Sequence, residues 1–307
     1  MSKIIYLVQG QAKFVKKYSD FQKRRDISSI LLTYDQQIDG ALYYPDSTWG
    51  EGRNYLLKKA LETGESYQYY IFLDDDVKFL QGDYTVFEKQ LLRYKPAIAT
   101  PVFVPKTDAT IMGYHNWFSK KFVPLRNYQL CRFADAQFIA FHKDVVADNL
   151  VVPLQTHFDK VSWYATSSTQ QLLMFNLYQK YILQFNNIKV QNANHGVYAK
   201  HEFKEDQRSW LTQQFRKTIY DPRPYAKVSK SFFSFLVLKD IIIKTYVERT
   251  LNFVGYYFYT IAATLLYKPR EQYRINPKDL IKELHKDSTL LNQYFEKKHH
   301  TKKEIHL

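Results

Sequence analysis

The sequence predicts an α/β fold: a mixed, mostly parallel sheet flanked by helices, followed by a helical C-terminal appendage. Three observations carry this. Short apolar runs of strand length alternate with helical stretches through the first hundred residues, as in a parallel sheet with helices on its faces. The runs end abruptly in polar or turn-forming residues. The chain has 307 residues, 45% of them hydrophobic, which suits one α/β domain of roughly 220–250 residues plus an extension.

Residues 4–8 are an apolar run closing at Gln9-Gly10. The run is too short for a signal peptide and no small-residue cleavage site follows, so it reads as the first strand. Residues 11–24 are basic and read as a helix. Ile27–Thr33 gives a second strand, ending at Tyr34-Asp35, and residues 41–44 a third. A helix over 52–63 places Leu56, Leu57, Ala60 and Leu61 on one side. Residues 69–73 form a fourth strand that runs straight into Asp74-Asp75-Asp76. A helix over 84–94 and a strand over 97–104, interrupted by Pro101, follow. Farther on, 133–142 alternates as a strand, 167–182 is helical, and 188–190 is a short strand before a polar turn.

Composition narrows the function classes. The single cysteine, Cys131, excludes an internal disulfide framework and a cysteine-based zinc site. Forty-four Lys and Arg against 30 Asp and Glu give a net charge of +14, which suggests a polyanionic neighbour. Aromatic residues reach 17% and suit sugar or base stacking as well as membrane interfaces. After Asp221-Pro222-Arg223-Pro224 the composition shifts, so the chain divides into a domain over 1–222 and a basic, aromatic C-terminal region over 223–307. Residues 250–267 carry no charge. They are marginal in length for a membrane span and hold four tyrosines, so an in-plane or core-packed helix is expected there.

The strongest chemical signal is the acidic triplet. Three consecutive carboxylates at a strand end repel one another unless a cation or donors neutralise them. A hard ion such as Mg²⁺ or Mn²⁺ does this and bridges to phosphates. In extended chain Asp74 and Asp76 point to one side; the plainer alternative is a solvated acidic turn. Asp35 also lies at a strand's carboxyl end, where ligands collect in such sheets. Upstream, Ser47-Thr48-Trp49-Gly50-Glu51-Gly52-Arg53-Asn54 offers a glycine turn opening a helix, with Arg53 placed to meet a diphosphate or an Asp of the triplet. No P-loop, H-E-x-x-H, G-x-S-x-G or early GxGxxG motif is present.

Together, Gly50 to Asn54, a helix, and Tyr70-Ile71-Phe72-Leu73-Asp74-Asp75-Asp76 resemble the heart of family-2-type glycosyltransferases. The resemblance implies the Rossmann-like glycosyltransferase-A fold and a nucleotide-diphosphate sugar donor. It implies that Val8, Gln9 and Asp35 border the nucleobase and ribose, and that Arg53 braces the donor pocket. Asp74 and Asp75 would meet the donor nucleotide, and Asp74 and Asp76 would hold Mn²⁺ or Mg²⁺. In Asn192-Ala193-Asn194-His195-Gly196, His195 stands where many enzymes of this fold supply a further metal ligand. Asp135 lies in a segment like the strand beside the donor sugar. The chain departs from the pattern where inverting members carry an acidic pair: here it reads Trp163-Tyr164-Ala165-Thr166-Ser167-Ser168-Thr169-Gln170-Gln171. That leaves Asp135 or Asp159 as base, a retaining reaction in which the leaving diphosphate takes the proton, or an inert protein. Trp163 and Tyr164 serve either an acceptor platform or the core.

The expected function is a metal-dependent glycosyltransferase acting on a hydroxyl of a glycan or glycolipid. The expected place is cytoplasmic, peripheral on the inner face of an anionic membrane. Nucleic acid is not an expected partner. The rivals are a sugar-nucleotide pyrophosphorylase and a non-catalytic basic lipid- or RNA-binding protein.

Overall fold

The computed structural model describes residues 3–104, 127–131, 134, 136–154, 156, 159–160, 163–178, 181–192 and 264–273. Asp135, His195, the proposed boundary at 222/223 and most of the C-terminal region lie outside them.

Strand β1 (Ile4–Gly10) leads into helix α1 (Ala12–Val15) and a 3-10 helix over Lys16–Lys23. Then come β2 (Ile27–Thr33), β3 (Leu42–Tyr43), α2 (Trp49–Glu62), β4 (Tyr69–Asp74), β5 (Val77–Gln81) and α3 (Tyr84–Tyr94). The rest are β6 (Ile98–Phe103), β7 (Tyr128–Leu130), β8 (Phe138–His142), α4 (Lys143–Asp148), α5 (Trp163–Tyr178) and β9 (Ile182–Asn192). Among the described residues the strands form one sheet in the order β3-β2-β1-β4-β8-β6-β9-β5, with β7 paired to β9.

Strands β3, β2, β1 and β4 run parallel, with Asp74 level with Gln9 and Gly10 level with Thr33. Their carboxyl ends therefore share one edge, where ligands bind in open α/β sheets. β8 is antiparallel to both β4 and β6, and β9 is parallel to β6. β9 thus also ends at the carboxyl edge, where Asn192 faces Val77 of antiparallel β5.

The sheet separates two apolar layers. Alternation along β4 sends Tyr70 and Phe72 to one side and Tyr69, Ile71 and Leu73 to the other. The first layer packs under α2, α4 and α5 through Leu56, Leu57, Ala60, Val145 and Met174. The second packs under the 3-10 helix and α3 through Tyr18, Phe21, Phe87 and Leu91. Both faces of β1 are covered and all seven of its residues are buried.

Several elements differ from expectation for identifiable reasons. α2 starts at Trp49, not 52, because Thr48 and Glu51 form a reciprocal capping box. Leu61 points outward and is 52% exposed. The acidic triplet is not extended: β4 stops at Asp74, and Asp75 and Asp76 form the turn into β5, a strand the sequence did not announce. β9 spans eleven residues rather than three. Its polar members find partners the sequence cannot display: Gln129 donates to Gln184, and Gln90 to Asn187.

Residues 264–273 are built into the amino edge, opposite the acidic turn. The Tyr267 hydroxyl donates to the Tyr94 carbonyl (2.9 Å), the Leu130 amide to Thr264 Oγ1 (3.0 Å), and the Tyr273 amide to Asp144 Oδ2 (2.8 Å). Tyr273 joins the first apolar layer and Tyr267 the second. No helix among the described residues is long and apolar enough to cross a membrane.

A buried polar clasp fixes β1 to α3 and the segment after the 3-10 helix. Glu88 accepts from the Tyr6 hydroxyl at 2.8 Å and from Arg24 Nη1 and Nη2 at 2.9 and 2.7 Å. Glu88→Ala strands the buried Tyr6 hydroxyl and leaves Arg24 with Asp26 as its carboxylate partner, so it will cost about 1–3 kcal/mol. Urea unfolding will show this as a lower midpoint at unchanged slope.

Candidate functional site

The carboxyl edge is organised by the first turn of α2. Thr48 caps the helix, and each residue from Trp49 to Asn54 except Glu51 meets a part of the fold outside α2. Glu51 closes the cap by accepting from the Thr48 amide at 3.0 Å. Gln9 Nε2 of β1 donates to the Trp49 carbonyl at 3.1 Å. Asn54 grips the segment before α5 in both directions, donating to the Leu154 carbonyl (3.0 Å) and accepting from its amide (2.6 Å). The two glycines are needed for close approach. A Cβ at Gly50 would lie 2.7 Å from Asp159 Oδ2, and one at Gly52 2.8 Å from Gln9 Oε1.

Arg53 is 1% exposed. Its Nη2 donates to Asp74 Oδ1 at 2.5 Å. Its guanidinium carbon lies 4.3 Å from the Trp49 ring centre and 5.4 Å from that of Phe72, a cation–π sandwich. Nε and Nη1 are buried without partners. Of the two partners expected for Arg53, a diphosphate or an Asp of the triplet, the structure shows the second: the side chain lies beneath the edge and meets Asp74. Trp49 Nε1 reaches both Asp74 oxygens at 3.3 Å and completes the grip.

Asp75 turns back toward β1 and accepts from the Gln11 amide at 2.6 Å. The fit requires Gly10, where a Cβ would fall 2.0 Å from Asp75 Cγ. Asp35 accepts from the Ala12 amide at 2.8 Å. The first free amides after β1 are thus both occupied by carboxylates. Asp76 lies beside the end of β9, where Asn192 hydrogen-bonds its side chain.

The triplet is electrostatically crowded. Burial pushes Asp74 up, against the lowering pull of Arg53. Burial raises Asp75 to about 6, held back by the Gln11 amide and pushed further by Asp74 and Asp76. Burial and Asp74 raise Asp76. A hard cation suits this: the donors are all oxygen, and the charge they crowd together is what an ion would neutralise. Yet no group of three or more metal-binding side chains converges among the described residues. Asp74 and Asp75 have each been turned toward a protein donor.

The structure therefore gathers Gln9, Asp35, Arg53, Asp74, Asp75 and Asp76 at one edge. Val8 is fully buried in the apolar layer beneath it. Asp159, one of the two candidate bases, lies at the first turn of α2, where its Oδ2 accepts from the Gly50 amide at 2.6 Å and from the Thr48 hydroxyl. Trp163 packs against Trp49 with ring centres 6.1 Å apart. Sequence reasoning missed Thr48, Trp49, Gln11 and Asn54 as positioning residues. The Thr48-x-x-Glu51 box was a readable signal for the first two.

No protein-family model and no curated protein matches the chain. Solved structures do. The chain superimposes on GalNAc-T7, in a structure with UDP, GalNAc and Mn²⁺, with a TM-score of 0.51 and 8% identity, over 81% of this chain and 55% of that one. S. aureus TarS 1-349 with UDP-GlcNAc gives a TM-score of 0.44 at 8% identity, covering 80% of this chain and 79% of that one. Glucosyl-3-phosphoglycerate synthase from Mycobacterium tuberculosis with Mg²⁺ and UDP gives 0.40 at 12%, covering 69% and 77%. The first likeness establishes the fold as that of glycosyltransferase-A proteins.

Two predictions test the geometry. Asp159→Asn keeps an acceptor for the Gly50 amide and will melt within about 2 °C of wild type, whereas Asp159→Ala loses the cap and about 1 kcal/mol. Asp75 has a folded pKa above its unfolded value, so its ionised form costs stability above pH 6 and that cost shrinks as pH falls toward 4. Asp75→Asn, which retains the acceptor, will raise the melting temperature at pH 7.5 by an amount corresponding to about 1 kcal/mol after allowance for solvent screening. Scans from pH 7.5 to 4.5 will show the gain shrinking steadily below pH 6, to about a third of its full size at pH 4.5.

Proposed function

We propose that this chain, which has the glycosyltransferase-A fold, is a glycosyltransferase. It moves a sugar from a nucleoside-diphosphate donor to a hydroxyl of a glycan or glycolipid. One observation carries the reading: an acidic turn at the carboxyl edge whose first carboxylate is clamped from beneath by a buried arginine. A cluster used only as a solvated turn needs no such clamp. The GalNAc-T7 structure of like fold contains UDP and Mn²⁺, which supports a nucleotide donor and a divalent ion here.

Asp76 and the outward side of Asp74 are the residues to which we assign the cation, Mn²⁺ or Mg²⁺. His195 follows Asn192 of β9 by three residues, and Asn192 is the residue hydrogen-bonded to Asp76; we assign His195 as a further ligand. When bound, the ion supplies neutralisation of the departing diphosphate. The chain's own part is to hold Asp74 rigid through Arg53 and Trp49, and to aim the turn by tying Asp75 to Gln11. Gln9 and Asp35 border the nucleoside. With Asp159 committed to α2, Asp135 is the carboxylate left to take the acceptor proton in an inverting reaction. In a retaining reaction the leaving diphosphate takes it.

The pyrophosphorylase alternative requires backbone amides after β1 to cradle triphosphate. Here the Gln11 and Ala12 amides are held by Asp75 and Asp35, which disfavours it. For the C-terminal region we propose peripheral contact with an anionic, cytoplasm-facing membrane. Leu265 and Leu266, 52% and 77% exposed, stand beside the exposed Lys268 and Arg270 and support this.

Calorimetric titration of nucleoside diphosphates with and without Mn²⁺ tests the reading. One nucleotide will bind only with Mn²⁺, and Asp76→Asn will weaken it by about tenfold or more, some 1.4 kcal/mol. A folded protein that binds none of the panel would end the donor assignment.

A further inference from the structure

Among the described residues the acidic turn has two cations beside it, and they are held in different ways. Arg53 is buried and locked. Lys17, in the 3-10 helix that follows α1, is exposed. Its Nζ donates to the Asp75 carbonyl at 2.7 Å and lies 4.8 Å from the Tyr18 ring centre. Desolvation lowers its ammonium below the usual lysine range, against the raising pull of Asp75 and Asp76. The Tyr18 hydroxyl points at the Asp74 carbonyl, 3.5 Å away, so the same helix turn touches the acidic turn twice. Asp75 and Asp76 otherwise hold neutral donors, the Gln11 amide and Asn192.

We propose that Lys17 is the resident counter-ion of the acidic turn and changes partner when substrate arrives, yielding the turn to a divalent cation and taking up the donor's diphosphate. The proposal rests on the glycosyltransferase reading. Three carboxylates against two cations leave one net negative charge at the turn. A dication reverses that sign, so the ammonium is repelled from the carboxylates and attracted to the incoming phosphates. Arg53 cannot make this exchange because it is sealed between Trp49 and Phe72. Lys17 can, because it is exposed and its hydrogen bond is to a backbone carbonyl that water can satisfy instead. Lysine also suits the task as a compact point charge that binds phosphate without a fixed fork geometry.

The exchange has a signature that a merely structural lysine lacks: two affinities move in opposite directions. In Lys17→Met the full-length protein will bind Mn²⁺ alone about three- to tenfold more tightly, because the competing charge is gone. The same variant will bind the nucleoside diphosphate in saturating Mn²⁺ about tenfold more weakly. Lys17→Arg will restore both toward wild type. Calorimetry of Mn²⁺ alone, then of nucleotide, reads each constant. Both constants unchanged, or both weakened, would overturn the proposal. A double-mutant cycle of Lys17→Met with Asp76→Asn, read by urea midpoints without metal, checks the counter-ion half: non-additive shifts are expected and additivity defeats it. Wild-type protein that binds neither Mn²⁺ nor nucleotide would instead sink the glycosyltransferase reading, and the partner exchange with it.

Discussion

The buried ion pair between Arg53 and Asp74 is the interaction on which the site depends. A guanidinium sealed between Trp49 and Phe72 is tolerable only because a carboxylate meets it, and that carboxylate is the last residue of β4. The pair therefore sets the distance from α2 to the central strands, and it fixes where the acidic turn begins. Removing either partner leaves an uncompensated charge in the core, so the two residues stand or fall together. What the pair gives the turn is a definite position rather than stability. A carboxylate already committed to a buried cation cannot swing with its two neighbours.

Close approach is the second constraint. Three glycines each admit a carboxylate or carboxamide where a Cβ would collide: Gly10 for Asp75, Gly50 for Asp159 and Gly52 for Gln9. All three contacts involve backbone of β1 or α2. The edge is thus assembled by side chains packing against bare main chain, which holds them more firmly than contact between two flexible side chains would.

Much of this was legible in the sequence. The apolar runs of β1 and β4 are buried on both sides, so their composition alone marks them, and the acidic triplet marks where β4 ends. The α/β class and the carboxyl-edge placement of Asp35 and Asp74 follow from that. Other features were not legible because they depend on partners distant in the chain. The length of β9 is hidden by Gln184, Asn186 and Asn187, which become strand-compatible only beside β5, β6 and β7. The turn at Asp75 requires the Gln11 amide, 64 residues earlier. Asp159 looked like a spare acid because nothing local shows that the amide it caps lies 109 residues upstream.

The docking of residues 264–273 sets an orientation for the whole molecule. They lie at the amino edge, whereas the acidic turn lies at the carboxyl edge, and a six-residue strand such as β4 separates the two by about 20 Å. The exposed Leu265 and Leu266 are thus separated from the acidic turn by about the length of a strand. On the proposed reading, an acceptor tethered to the surface that meets Leu265 and Leu266 would have to extend at least this far before its hydroxyl reached the turn, and the sheet would act as a ruler that passes over shorter acceptors.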